Sequence, residues 1–277
     1  MSGAVEKYDK RAEKVDSLVC VGLDSDFDKL PQRFKKEAAP QFEFNKWIID
    51  QTHEFVSAYK PNIAFYEARG DRGLRELKIT MEYLKERYAD IFTVCDAKRA
   101  EVRNTSLQYV KEIFDWFGFD AVTLNPYLGR DALQPFLDYK DKACIILCKT
   151  SNPGGGEFQD LLIDGKPLWQ VVAEKVVAEW NENKNCMLVA GATYSEELKK
   201  IRQIAGDMTL LVPGIGAQSG DLKSVVQAGL NSQGQGLILN SSRGIIFSEN
   251  PKEAARSLRD AVNSFRKGGS RSSAFFK

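Results

Sequence analysis

The segment Asp96-Ala-Lys98-Arg-Ala-Glu101 sets carboxylates and ammonium groups at spacings that can do chemistry. Residues two apart on an extended strand end point to the same side, so Asp96 and Lys98 are expected to share one face. Glu101, three further on, falls in the turn into the next helix and need not join them within one subunit. An alternation of ammonium and carboxylate groups keeps a lysine protonated, because an opposite charge within a few ångströms favours the charged form. A protonated, immobilised lysine is suited to quench a carbanion. A carboxylate beside it repels an anionic group that must leave. Lys60, in a second apolar run, and Asp24, at the end of a first, are further candidates for the same network.

A second constellation points to phosphate. Pro213-Gly214-Ile-Gly216 forms a turn whose backbone N–H groups can approach an anion, and Gln218 adds a neutral donor. Arg243, after a later apolar run, offers a charge-assisted and bidentate contact.

These groups need a scaffold that brings several strand ends to one place. Eight short apolar runs supply it: residues 18–23, 58–65, 91–95, 121–124, 143–148, 186–190, 209–212 and 236–239. Each is apolar on both faces, as a buried parallel strand requires. Amphipathic helical patterns lie between them, at 44–56, 74–88, 105–117, 169–181, 196–205 and 222–228. Eight βα units predict an α/β fold, a single-domain (β/α)8 TIM barrel over residues 1–266, with 267–277 as a flexible Gly/Ser-containing tail. In such a barrel the catalytic groups project from the C-terminal strand ends, where Asp24, Lys60, Asp96, Lys98, Ser151, Gly216, Gln218 and Arg243 all fall. Pro61 would weaken an internal ladder, so a bulge or a strand end is expected there. Residues 151–167, with three consecutive glycines, read as a long loop.

Composition narrows the partners. With 39 basic and 38 acidic side chains among 277 residues, the formal charge of +1 gives no support to binding nucleic acid or an anionic membrane. No apolar run approaches the roughly 20 residues of a membrane span, and residues 1–15 lack the apolar core of a signal peptide, so a cytoplasmic protein is expected. Five cysteines in strand-like runs read as free buried thiols. A single histidine, His53, on a helical pattern, leaves little for zinc or Cys/His chemistry, and no metal site is expected.

The motifs VGLD ending at Asp24, YKPN around Lys60, DAKR from Asp96, NPYLGRD from Asn125, TSNPG around Ser151, PGIGAQ from Pro213 and NSSRGII around Arg243 follow one another along the chain. In that order they resemble the orotidine 5′-phosphate decarboxylase family, in its longer bacterial-type subgroup. The resemblance implies a cofactor-free homodimer in the cytoplasm that converts orotidine 5′-phosphate to UMP and carbon dioxide, the last step of UMP synthesis. It also leaves room for an orotate phosphoribosyltransferase partner, fused or associated.

By the same resemblance, Lys98 is the proton donor to C6 of the pyrimidine, Asp96 the carboxylate beside the scissile group, and Lys60 the lysine bridging that network to the ribose. Asp24 matches a ribose-hydroxyl ligand, and Thr105 a threonine that reaches the nucleotide of the neighbouring subunit. Ser151 matches the residue bonding the pyrimidine, at the start of a closing loop. Gln218 and Arg243 match phosphate ligands, with the backbone of Gly216 nearby. The chain departs from the family pattern at Glu101, where the family has an aspartate that enters the neighbouring site, and at the following Val102 and Arg103. The added methylene displaces the carboxylate, and a misplacement of about 1 Å can cost about 10²-fold in rate. Two other readings therefore stay open: a nucleotide-binding protein with impaired turnover, and a magnesium-dependent sugar-phosphate decarboxylase or aldolase using Asp96 and Glu67 as oxygen ligands.

Overall fold

In the computed structural model, which describes residues 3–191, 195–215 and 222–268, each of the eight apolar runs contributes one parallel strand. The strands are β1 (Val19–Val21), β2 (Ala58–Tyr59), β3 (Phe92–Arg99), β4 (Ala121–Leu124) and β5 (Ala143–Lys149). A two-stranded hairpin, β6 (Leu162–Ile163) and β7 (Lys166–Pro167), interrupts the series before β8 (Cys186–Ala190), β9 (Leu210–Val212) and β10 (Leu237–Ser241). The barrel closes in the order β1-β10-β9-β8-β5-β4-β3-β2, so β8, β9 and β10 are its sixth, seventh and eighth staves. This is the (β/α)8 barrel expected from the alternating pattern. Closure explains why the strands are apolar on both faces: one side packs the barrel interior and the other packs against helices. Residues such as Val19, Val21, Val94, Val122, Ile145, Leu188, Leu211 and Ile238 are at most 2% exposed. Each such side chain contributes about 1.5–3 kcal/mol on burial.

The expected helices appear with shifted ends, among them Pro40–Thr52, Gly70–Arg87 and Ser195–Ala205. The pattern at 105–117 is a helix from Arg103 to Val110 that continues as a π-helical segment, Lys111–Phe117. Three helices of eight residues or more lie outside the sequence-based expectation: Ala4–Lys14, Arg130–Leu137 and Pro251–Gly268. The first closes the end of the barrel opposite the chemistry. Tyr8 is buried and its hydroxyl donates to the carbonyl of Leu237 at the start of β10. Arg11, also buried, donates to the carbonyl of Val56 at 3.2 Å and pairs with Asp90 at 2.8 Å. The N-terminal segment, which lacks the apolar core of a signal peptide, is thus an amphipathic plug. Among the described residues no helix is long and apolar enough to cross a membrane.

The segment 151–167 is not a featureless loop. It holds a short helix, Gly156–Gln159, and the β6–β7 hairpin, whose turn is Asp164-Gly165 with both φ angles positive, 51° and 78°. Lys149, buried at the end of β5, ties this segment down through an ion pair with Asp160. All five cysteines are buried and free. Burial pushes the Cys20 thiol up to about 12, beyond any thiolate chemistry at neutral pH. Of the tail expected at 267–277, residues 269–277 lie outside the described residues.

Candidate active site

Strand β2 ends at Tyr59, before Pro61, so the proline's missing N–H breaks no ladder bond inside the strand. Lys60 still belongs to the barrel wall, since its N–H donates to the carbonyl of Val21 at 3.0 Å. The carbonyl of Pro61 accepts the N–H of Asp96 at 3.0 Å. The two segments bearing the charged groups are thereby bound together at the mouth.

Lys60, only 3% exposed, donates to Asp96 Oδ2 at 2.8 Å, and Lys98 donates to Asp96 Oδ1 at 2.6 Å. The outcome is one carboxylate between two ammonium groups. Burial alone would raise the Asp96 carboxyl, but Lys60 and then Lys98 outweigh it and hold Asp96 well below the usual carboxylate range. Burial likewise works against a charge on Lys60, yet Asp96 and Asp24 prevail and keep its ammonium above its ordinary value. Asp24 is fixed by the N–H of Asn62, which donates to its Oδ1 at 3.2 Å.

Asp96 and Lys98 do meet, but not because β3 runs straight. Cys95 pairs with Val122 and Arg99 with Leu124, so three residues of β3 face Thr123 alone on β4. A bulge of this kind re-aims side chains next to active sites. Within it Lys98 adopts a left-handed backbone, φ 47°, a conformation that costs a side-chain-bearing residue of order 1–3 kcal/mol and persists only where its surroundings hold it. Arg99, next in line, points away from the cluster, pairs with Glu67 and lies over the ring of Tyr109 at 4.9 Å. Glu67 and Asp96, the two oxygen ligands of the magnesium reading, are thus each engaged by cations, Glu67 by Arg99 and Asp96 by the two lysines.

The remaining expected residues sit around the same rim or just outside it. Ser151 is exposed, two residues past the end of β5. Arg243 is exposed at the first position of the short helix Arg243–Ile246 after β10. Gly214 has φ 80°, and the next residue, Ile215, donates its N–H to the carbonyl of Asn240 at 3.0 Å, joining the ends of β9 and β10. Gly216 and Gln218 lie outside the described residues. Glu101 is in the turn below β3, where its Oε1 accepts the N–H of Val102 at 3.0 Å, and Thr105 occupies the first turn of the following helix. The chain Lys60–Asp96–Lys98 closes without either.

Two contributors to the cluster escaped the sequence reading, as did a further buried lysine. Asn62 supplies the N–H that fixes Asp24. Thr123 donates its hydroxyl to Asp96 Oδ1 at 3.0 Å. Lys149 is a second buried lysine at a strand end. Lys149 was in view, since it directly follows the apolar run 143–148. Thr123 looked like any β-branched strand residue.

A family model described as orotidine 5′-phosphate decarboxylase / HUMPS matches residues 17–258. The chain belongs to this family. It is 44% identical over 264 residues to an orotidine 5′-phosphate decarboxylase of Cellvibrio japonicus, covering 95% of this chain and 96% of that protein. To the enzyme of the same name from Christiangramia forsetii it is 46% identical over 242 residues, covering 87% and 88%. Among solved structures, Leishmania donovani OMP decarboxylase superposes with a TM-score of 0.86 at 39% identity, over 96% of this chain and 99% of that one. Leishmania donovani UMP synthase superposes at 0.88 with 40% identity, over 96% of this chain and 57% of that one. The motifs that carried the resemblance all fall within the matched family segment.

Proposed function

We propose that this member of the orotidine 5′-phosphate decarboxylase family converts orotidine 5′-phosphate to UMP and carbon dioxide, with Lys98 as the proton donor. The observation that carries the reading is the Lys60–Asp96–Lys98 chain at the barrel mouth, running from the buried Lys60 to the exposed Lys98. The bond between C6 and the carboxylate breaks, its electron pair stays on C6 and carbon dioxide leaves. A proton from the Lys98 ammonium then goes to C6, and the neutral amine regains one from water. The pyrimidine lacks the handles of a β-keto acid, so the barrier falls chiefly by placing positive charge where negative charge develops. Asp96 lies against the departing carboxylate. Lys60 holds Asp96 and reaches the ribose, with Asp24 on a ribose hydroxyl.

Ser151 bonds the pyrimidine, and Gln218, Arg243 and the backbone of Gly216 take the phosphate. Binding energy from that remote phosphate is then available to organise the reacting end. Glu101 and Thr105 serve the site of a second subunit in a homodimer. Exposed apolar side chains around them favour such a partner: Val102 is 52% exposed and Leu107 41%, with Tyr127 at 79% and Leu128 at 44% past the end of neighbouring β4. The reaction needs no metal or organic cofactor. A cytoplasmic orotate phosphoribosyltransferase is the activity that would supply the substrate.

The test is an ultraviolet assay of orotidine 5′-phosphate consumption, run with and without chelator. The expected outcome is an unchanged rate with chelator and a loss of at least about 10³-fold in kcat for Lys98→Ala. Turnover that disappears with chelator, or survives in Lys98→Ala, would overturn the reading.

A further inference from the structure

The bulge that aims Asp96 and Lys98 inward needs something to hold it, because its amides have left the β3–β4 ladder. Three residues of β3, Asp96 to Lys98, stand opposite Thr123 alone. The N–H groups of Ala97 and Lys98 both donate to Thr123 Oγ1, at 3.0 and 2.9 Å. Thr123 itself is 1% exposed, and its hydroxyl takes the place of the β4 carbonyls these amides have left.

A hydroxyl has one hydrogen and two lone pairs. Both lone pairs of Thr123 are taken by groups that can only donate. Its hydrogen therefore has one place to go, and Asp96 Oδ1 lies 3.0 Å away. The direction of this bond follows from counting, without reference to any assigned hydrogen position. Asp96 must accept from Thr123 and is held as the acceptor on both oxygens, by Thr123 and Lys98 on Oδ1 and by Lys60 on Oδ2.

We propose that Thr123 is a positioning residue for the decarboxylation, its single hydroxyl holding both the left-handed backbone at Lys98 and the orientation of the Asp96 carboxylate. The role rests on the decarboxylase reading, since it concerns the placement of the proton donor. Thr123 acts through Asp96 and Lys98, so its loss should fall on the chemical step rather than on the capture of substrate by the phosphate loops after β9 and β10. Valine has the same shape and no hydroxyl. It leaves the Ala97 and Lys98 amides without their acceptor and frees the bulge to relax. Serine keeps the hydroxyl.

The test compares Thr123→Val and Thr123→Ser with the wild-type chain in steady-state assays, with UMP affinity and melting temperature measured alongside. A displacement of about 1 Å at the reacting groups predicts a fall of about 10²-fold in kcat for Thr123→Val, with KM and UMP affinity within about threefold. Thr123→Ser should recover kcat to within about fivefold of wild type. An unchanged kcat in Thr123→Val, or a loss in Thr123→Ser as large as that in Thr123→Val, would overturn the role. If Thr123→Val and Thr123→Ala both fail to fold while Thr123→Ser folds and works, the hydroxyl is a stability device and the kinetic role is overturned. A wild-type chain without turnover would overturn the decarboxylase reading itself, and this role with it.

Discussion

Asp96 keeps its charge where burial alone would favour the neutral acid, because ammonium groups stand 2.8 and 2.6 Å from its two oxygens. With asparagine there, the ammonium groups of Lys60 and Lys98 would have no negative charge between them. Removing one partner of a buried ion pair costs about 3–5 kcal/mol, so Asp96→Asn should lower unfolding stability by that order at pH 7. The folded carboxyl lies below the unfolded one, so its contribution is complete above the ordinary carboxylate range and is lost as pH falls through the folded value. The gap between wild type and Asp96→Asn should hold from neutral pH down to about pH 4 and narrow below it. Urea titrations at several pH values measure this, and a gap independent of pH down to pH 3 would contradict it. At this scale the sequence was informative about residue types. The charged residues past the apolar runs could be read directly, because ionisable groups at the ends of buried strands have few structural excuses. The partners that make them work could not. Thr123 differs in no visible way from other β-branched strand residues, and its role depends on a register shift that only the paired strands reveal.

Strands rather than side chains decide how closely the rim groups approach. Gly22, just past β1, sits where a Cβ would lie 1.9 Å from Ser242 Oγ and 2.9 Å from Ser242 Cβ. The end of β1 can pass the start of the Arg243 helix only without a side chain there. Gly22→Ala should push that turn outward, raising KM about tenfold or more through the phosphate contact at Arg243 while costing about 1–3 kcal/mol of stability. Adding Ser242→Gly should recover most of the KM, since it removes the atoms in the way. A double variant no better than the single one would place the damage elsewhere. Element positions were largely legible: the runs at 121–124 and 186–190 became strands with those same limits. The misses have physical causes. Asp164-Gly165 is a hairpin turn signal, but only Leu162-Ile163 before it is apolar, Lys166-Pro167 after it is not, and the preceding glycines suggested a long loop. The helix Ala4–Lys14 buries only Ala4, Tyr8, Arg11 and Ala12, too thin a stripe to stand out among its charges.

Assembly belongs to the whole molecule, and there the decarboxylase reading makes its least local claim. If Glu101 and Thr105 complete a neighbour's site, Lys98→Ala and Glu101→Ala subunits should each be inactive alone and regain activity when mixed. Random pairing makes half the dimers mixed, and each carries one site with both groups intact, so activity should return to about a quarter of the wild-type sites. Equal mixtures, unfolded and refolded together, would show it by assay, and the absence of any recovery would mean that each subunit works alone. Closure of the barrel has its own consequence. The first strand hydrogen-bonds to the last, Val19 to Val21 beside Leu239 to Ser241, and Tyr8 reaches a carbonyl 229 residues further along. The other edge of β1 finds β2 early, but during synthesis on the ribosome the edge that faces β10 has no permanent neighbour until that strand has emerged, and for that interval it depends on chaperones or transient collapse for protection from aggregation.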